Sequence, residues 1–345
     1  FFFLYVGAQF LGGGKTLNAM IGIDRDLAMV VTAAIIVPYT IYGGFRSVVY
    51  TDVIQAVVMI ITLVVGPIVG IIYISNHPEL FAQSIPAALE LAGPEYSSMI
   101  QAASGFSIGV VIAGGFSWFF GYLGGQPQLS MRFMAIKNPA QAKKARNIGI
   151  AWTILAYTGA LALGWIGIAI FGPTGLADRE TVMPEVLLLI FPPAIAAILI
   201  TGAIAAMIST ADSLLILSAT ELSENIVKPY FMKDKNKSPL FFSRLITALL
   251  AILALIIAYV GLSDLIFDLV IWVWAGVGAN FSVVILCTLF WKKYHSRAAL
   301  ITIIVGVAFT IFWLTSGLYK EVSAIIMTFA VAMLAAILST LFIKK

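Results

Sequence analysis

Residues 193–217 read PAIAAILITGAIAAMISTADSLLIL, and the stretch carries a single charged side chain, Asp212. A membrane crossing needs roughly 20 predominantly apolar residues to traverse about 30 Å of hydrocarbon, and this run exceeds that. Backbone polar groups cannot be left unpaired in lipid, so an isolated apolar segment crosses as a helix, whatever its content of Ile and Val. On a helix, Ser209, Asp212 and Ser213 stand at i, i+3 and i+4 and share one face. A carboxylate near the centre of a span costs about 2.5–3.5 kcal/mol on insertion scales, so it faces a partner or water. Hydroxyl and carboxylate oxygens are hard ligands, and their spacing here points to a cation or a proton. The bland alternative is that the hydroxyls bond back to the i−4 carbonyl and ease helix packing.

The rest of the chain repeats this composition. Of its 345 residues, 61% are hydrophobic and 10% charged, against about 25% charged in a soluble domain. Ten spans are expected, at 1–22, 26–48, 53–75, 106–131, 148–171, 193–227, 240–260, 263–291, 298–316 and 321–343. The sixth is too long for one straight crossing, and Pro192-Pro193 separates it from the apolar residues before it. The 76–105 loop is expected to carry short helices near Pro78 and Pro86. Of the 20 Lys and Arg residues, all but Lys15, Arg25, Arg179 and Lys320 fall on one side of these spans. The opposite side collects Glu79, Glu90, Glu95, Asp178, Glu180, Glu185 and Asp264. This is the positive-inside pattern, and it places the C-terminus in the cytoplasm. The net charge of +4 therefore reports topology, and no nucleic-acid partner is expected. The chain begins Phe1-Phe2-Phe3-Leu4-Tyr5, inside an apolar run without a Met or a signal peptide's flanks, so further helices are expected to precede it.

Two more stretches stand out. Trp118-Phe119-Phe120-Gly121-Tyr122-Leu123-Gly124-Gly125-Gln126-Pro127 opposes a continuous helix, because Pro removes a donor and clashes with the preceding turn. Broken helices at membrane depth either pack as kinks or line a wet cavity, where transporters aim their half-helix ends at ions and solutes. Tyr39 to Gln55 reads as a cytoplasmic turn, with Gly43-Gly44 closing one helix and Thr51 or Asp52 capping the next. Cys287 is the only cysteine, so no intramolecular disulfide can form. His77 and His295 lie in loops, away from it. Without a phosphate-binding GxxxxGK[ST] loop, or paired acids or a Ser/His dyad at depth, neither an ATP-driven pump nor an intramembrane enzyme is expected.

Gly43-Gly44 with Thr51-Asp52 and Gln55, Gly125-Gln126-Pro127 with Arg132-Phe133-Met134-Ala135, and Ser209-Thr210-Ala211-Asp212-Ser213-Leu214-Leu215 together resemble the sodium:solute symporter family, nearest its sodium/proline branch. The likeness runs in order from Tyr5 to about Trp313. It implies an all-α polytopic bundle of the LeuT type, built on inverted repeats. Residues 1–75 would end the first repeat, 106–291 would form the second, and 298–343 would be peripheral. It further implies a Na⁺ site at Ala206, Ser209 and Thr210, completed by an earlier helix. Asp52, with Asp212 and Ser213, would outline a second cation position or exit path. Tyr5, Trp118, Tyr122, Gln126 and Pro127 would face the solute, a small zwitterion with proline favoured. The activity implied is Na⁺-coupled symport by alternating access in the cell membrane. A groove shared by Ser209, Thr210 and the 121–127 break is expected. Proton coupling through Asp212 and a symporter-like sensory module are the alternatives.

Overall fold

The computed structural model describes residues 2–97, 117–231, 239–261 and 263–343. The described residues are helical throughout apart from short connections. The helices are α1 (Phe2–Ile21), α2 (Arg25–Asn76), α3 (Ile85–Ala92), α4 (Pro94–Ser97), α5 (Pro127–Met134), α6 (Pro139–Phe171), α7 (Val182–Ile190) and α8 (Pro193–Leu222). They continue with α9 (Lys228–Phe231), α10 (Pro239–Val260), α11 (Ile266–Val273), α12 (Asn280–Phe290), α13 (Ser296–Thr315) and α14 (Ala324–Phe342). Wide π-turns join α8 to α9 at Ser223–Val227 and α11 to α12 at Trp274–Ala279.

The helix ends follow from local chemistry. Asp24 accepts the Asp26 and Leu27 amides at the start of α2, and Asn138 accepts the Gln141 amide at the start of α6. Both satisfy donors that a helix N-terminus leaves open. Proline occupies the first turn of α5, α6 and α8, where its missing N–H costs nothing. The Pro192-Pro193 boundary falls where the sequence places it. In the 76–105 loop, α3 contains Pro86 as expected and is capped by Ser84, whereas residues 78–81 turn instead of forming the helix expected near Pro78, and α4 follows at Pro94.

Among the described residues, seven helices are long and apolar enough to cross a membrane, against the ten spans expected. Expected spans 26–48 and 53–75 are the two legs of α2, two helices that follow one another across a kink and are counted together among the seven. The kink sits at Gly44 (φ 63°, ψ −174°), a conformation that glycine adopts without a Cβ penalty. The expected caps at Thr51 and Asp52 are therefore incorrect: both lie inside helix, and Thr51 donates to the Ser47 and Val48 carbonyls. Expected span 1–22 is α1, a 20-residue helix whose Gln9, Lys15 and Asn18 dilute its apolar character. The first part of expected span 106–131 lies outside the described residues.

The chain divides into two compact units. The larger comprises residues 2–97 and 138–266. Its core includes Phe10, Met29, Ile36, Leu163, Ile166, Leu187, Ile200 and Leu214, all essentially inaccessible. Its periphery is equally apolar, with Ile198 65% and Tyr259 68% exposed, as a lipid-facing surface requires. Thr62 of α2 donates across to the Leu199 carbonyl of α8 at 2.8 Å. At one end, buried Lys15 of α1 meets Asp178 and Glu180, each at 2.7 Å, and Glu180 also accepts the Ile266 amide at 3.0 Å. The smaller unit comprises the described parts of 98–137 and 267–345, packed around Val283, Cys287, Ala332 and Ala336.

Candidate functional site

Tyr39 and Asp52 belong to different legs of α2, and the Gly44 kink decides where they go. Thirteen residues of unbroken helix would set them about 20 Å apart along the axis. Instead they bond to groups one turn apart on α8. The Ser209 hydroxyl donates to the Asp52 carboxylate, and the Tyr39 hydroxyl donates to Asp212 Oδ2 at 2.6 Å. The chain doubles back at Gly44, and both legs deliver oxygens to the same stretch of α8.

The face of α8 read from the sequence is thus a network. Ser213 Oγ lies 2.6 Å from the Ser209 carbonyl and 3.3 Å from Asp212 Oδ1. Asp212 is fully buried, and Ser213 is 5% exposed. Gln55, one turn beyond Asp52, stands beside the Tyr39 hydroxyl. Its own Oε1 is buried without a partner among the described residues. Two acidic side chains, Asp212 fully buried and Asp52 partly exposed, meet the same stretch of α8, an arrangement that favours a cation or a proton nearby. The structure brings Asp52, Ser209, Asp212 and Ser213 together, and adds Tyr39 and Gln55, which sequence reasoning missed. The sequence signal that lies between them is the Gly43-Gly44 pair, where the helix breaks.

Ala206 and Thr210 occupy the neighbouring face. Thr210 Oγ1 donates to the Ala206 carbonyl at 2.9 Å, the back-bond that its position allows. Each oxygen keeps lone pairs after that bond. Both residues line a cavity of about 300 Å³ with Gln9, Met59, Leu63 and Met183. Tyr5 is half-buried on α1, in this same unit.

The second candidate region lies in the smaller unit. Residues 117–122 are helical, the chain bends through Leu123 and Gly124 (φ 93°), and helix resumes at Pro127. Gly125 is tight against the π-turn: a Cβ there would lie 1.9 Å from the Gly278 carbonyl oxygen and 2.7 Å from the Ser282 amide nitrogen. The Gly125 amide donates to Ser282 Oγ at 3.2 Å, and Ser130 donates to the Gly124 carbonyl at 3.2 Å. Trp118 and Tyr122 gather on Trp274, with ring centroids 5.6 Å and 3.9 Å away. Gln126, 2% exposed, accepts from Gln128 at 2.8 Å. Gln126 Nε2, Gln128 Oε1 and Trp274 Nε1 have no hydrogen-bond partner among the described residues. Whichever way the two amides are turned, their single bond leaves one NH₂ and one carbonyl open. Buried polar groups are normally paired, so these three open atoms single out the helix break as a candidate site. Trp274 and Gln128 were not foreseen, because Trp274 sits in an uninterrupted apolar run. The 274–279 π-turn is the signal, since such bulges concentrate at functional sites.

A helical membrane bundle with a buried oxygen cluster on one interrupted helix and a broken, polar-lined helix in its second unit has the layout of a secondary transporter. Residues 1–306 match the profile of the "Sodium:solute symporter family". The chain belongs to that family, so it is a multi-pass, Na⁺-coupled transporter of a small solute and not an enzyme. It is 33% identical over 338 residues to the high-affinity proline transporter PutP of Bacillus subtilis (strain 168), covering 97% of this chain and 69% of that protein. It is 32% identical over 353 residues to the osmoregulated proline transporter OpuE of the same organism, covering 100% of this chain and 69% of that protein. A solved structure of a Na⁺-coupled sialic acid symporter, in a substrate-bound outward-open state, matches with TM-score 0.71. That match covers 100% of this chain and 73% of the other at 16% identity, which makes it a likeness of fold, the LeuT type expected.

Proposed function

We propose that this protein couples Na⁺ entry to uptake of a small zwitterion, proline first, across the cell membrane with its C-terminus in the cytoplasm. The observation that carries the reading is the oxygen cluster that α2 and α8 build together. Ala206, Ser209 and Thr210 provide α8's share of one Na⁺ site. Asp52, Ser209, Asp212 and Ser213 form a second cation position on the path inward. Trp118, Tyr122, Gln126 and Pro127 receive the solute at the helix break. The aromatic rings suit an apolar ring, and the amide and helix N-terminus at Gln126-Pro127 suit a carboxylate. The names of the two Bacillus relatives support proline. The repeats run to residue 75 and from 106 to 291, with 298–343 peripheral.

Na⁺ and solute raise each other's affinity equally by linkage, a coupling typically worth about 1–3 kcal/mol. The membrane potential adds about 2.3 kcal/mol per charge per 100 mV. The test is uptake into proteoliposomes at fixed pH, with Na⁺ replaced by Li⁺ or choline, across labelled proline, pantothenate, carboxylates and sugars. Proline uptake that requires Na⁺ supports the reading, and a preference for sugars overturns the solute. One observation favours a second reading: Asp212 is fully buried with Tyr39 bonded to it, as a proton carrier would be. Uptake that persists in choline and follows an imposed proton gradient would favour it.

A further inference from the structure

Arg244 stands near the start of α10, among the charges that the sequence places on the cytoplasmic side. No hydrogen bond or ion pair to it occurs among the described residues, and its Nε is buried without a partner. Its guanidinium lies 5.2 Å over the Tyr42 ring, a contact that satisfies the face of the cation and none of its N–H groups. A guanidinium stays charged at any physiological pH and carries five donors in a planar fork. Arg244 is partly exposed, but its Nε is buried and unmet, and burying such a donor unpaired is costly, so a ligand that reaches the fork would answer it.

The space beside it fits that explanation. A cavity of about 270 Å³ opens between the α2 kink, the end of α8 and the start of α10, all in the larger unit. Tyr42, Gly44, Thr220, Ser243 and Arg244 line it. Nothing lies within 4 Å of where a Cβ would sit on Gly44, so the kink faces open space. The lining offers a guanidinium and hydroxyls, and no carboxylate. The acid next to Thr220, Glu221, is engaged with Asn225 at 2.5 Å. A donor-rich, cationic, acid-free cavity selects an anion, and the planar Arg fork matches phosphate oxygens in particular.

We propose that this cavity binds a phosphoryl group, held by Arg244 with the Ser243 and Thr220 hydroxyls. Two sources carry that chemistry at a cytoplasmic membrane face: the phosphodiester of an anionic lipid and free inorganic phosphate. The site touches both the Gly44 kink and the end of α8, so its occupant bears on the two elements that build the Asp52–Ser209 cluster. The proposal does not depend on which solute is carried.

The experiment measures the unfolding temperature of delipidated, detergent-purified protein titrated with inorganic phosphate, dioctanoylphosphatidylglycerol or dioctanoylphosphatidylcholine. A saturable rise of a few degrees with phosphatidylglycerol, and little with phosphatidylcholine, assigns the site to anionic lipid. A rise with inorganic phosphate alone assigns it to the soluble ion. Either rise should weaken by about tenfold or more in Arg244→Gln, since one charge-assisted contact is worth about 1.5–3 kcal/mol. Lys292→Gln, which removes an exposed charge elsewhere, should leave it unchanged. If Arg244→Gln does not fold, Arg244→Lys keeps the charge and loses the fork, and should bind severalfold more weakly. No rise with either anion, or a rise that both Arg244 variants retain in full, overturns the proposal.

Discussion

The Ser209–Asp52 contact joins the two helices that form the candidate cation cluster, and its removal has a calculable consequence. Ser209→Ala deletes a hydroxyl that donates to a carboxylate. Hydrogen bonds to charged groups contribute about 1.5–3 kcal/mol. Asp52 is partly exposed, and water replaces some of the loss, which reduces the figure to about 1–2 kcal/mol. If the pair holds Na⁺, the half-saturating Na⁺ concentration should rise by roughly 5–30-fold, at about 1.4 kcal/mol per decade. The assay is a Na⁺ titration of proline uptake in proteoliposomes at fixed pH and membrane potential, with unfolding temperature as a check on the fold. Asp52→Asn should act in the same direction. Groups in direct contact are coupled, so the double variant should fall short of the sum of the two by about 0.5 kcal/mol or more. Unchanged Na⁺ dependence in folded Ser209→Ala protein, or strict additivity of the two substitutions, would refute the reasoning.

Four further outcomes are expected. Gly125→Ala forces a methyl group against the Gly278 and Ser282 backbone, so the break must open. A loss of about 1–3 kcal/mol in stability and weaker solute binding should follow, and unaltered solute affinity would show that the break does not shape the site. Tyr39→Phe withdraws the hydroxyl bonded to Asp212, leaving a buried carboxyl short of a donor at a cost of about 1–3 kcal/mol. The Na⁺ titration should shift, whereas a change confined to the pH profile of uptake would favour proton coupling. Lys15→Met should lower the unfolding temperature markedly, because Asp178 and Glu180 lose their cation. Burial alone would raise the Asp178 carboxyl, but the Lys15 hydrogen bond and charge, the Glu180 amide and the Arg25 charge outweigh it and hold it below the usual range. A lowered carboxylate stabilises the fold above the ordinary carboxylate range, and that stability disappears as pH falls through the lowered value. Asp178→Asn should flatten this acid limb, and an unchanged limb would remove Asp178 from the account.

What the sequence made legible was local. Membrane crossing is a property of a run of side chains, so α8, α10, α13 and α14 could be drawn from composition alone. The polar face of α8 was legible because Ser209, Asp212 and Ser213 repeat with the helix period. The break before Pro127 was legible because proline and glycine act on their own backbone. Where the reading failed, a local preference had lost to a distant partner. Asp52 has the chemistry of an N-cap, and Gly43-Gly44 is a pair that closes helices, so the next helix is expected to start at Thr51 or Asp52. The break does fall at Gly44, but helix resumes well before Thr51, and Asp52 accepts from Ser209, 157 positions along the chain.

The same contest explains why the unforeseen residues gather at the two candidate sites. Lys15 looked like an interruption of the first span, yet its ammonium is buried against acids some 165 positions away. Tyr39, Gln55 and Gln128 lie in or beside stretches that the sequence singles out, but their side chains had no role there, and Trp274 sits in an apolar run. Each becomes conspicuous once the chain is folded, because a buried hydroxyl, amide or indole N–H must be answered. Tyr39 is answered by Asp212. Gln55 Oε1, Gln128 Oε1 and Trp274 Nε1 are not answered among the described residues. A protein that had only to be stable would have replaced those three groups with apolar ones of similar shape, since that substitution is nearly neutral in energy. Gln55 Oε1 beside the candidate cation cluster, and Gln128 Oε1 and Trp274 Nε1 at the helix break, are therefore the groups on which the proposed ion and solute sites are best tested.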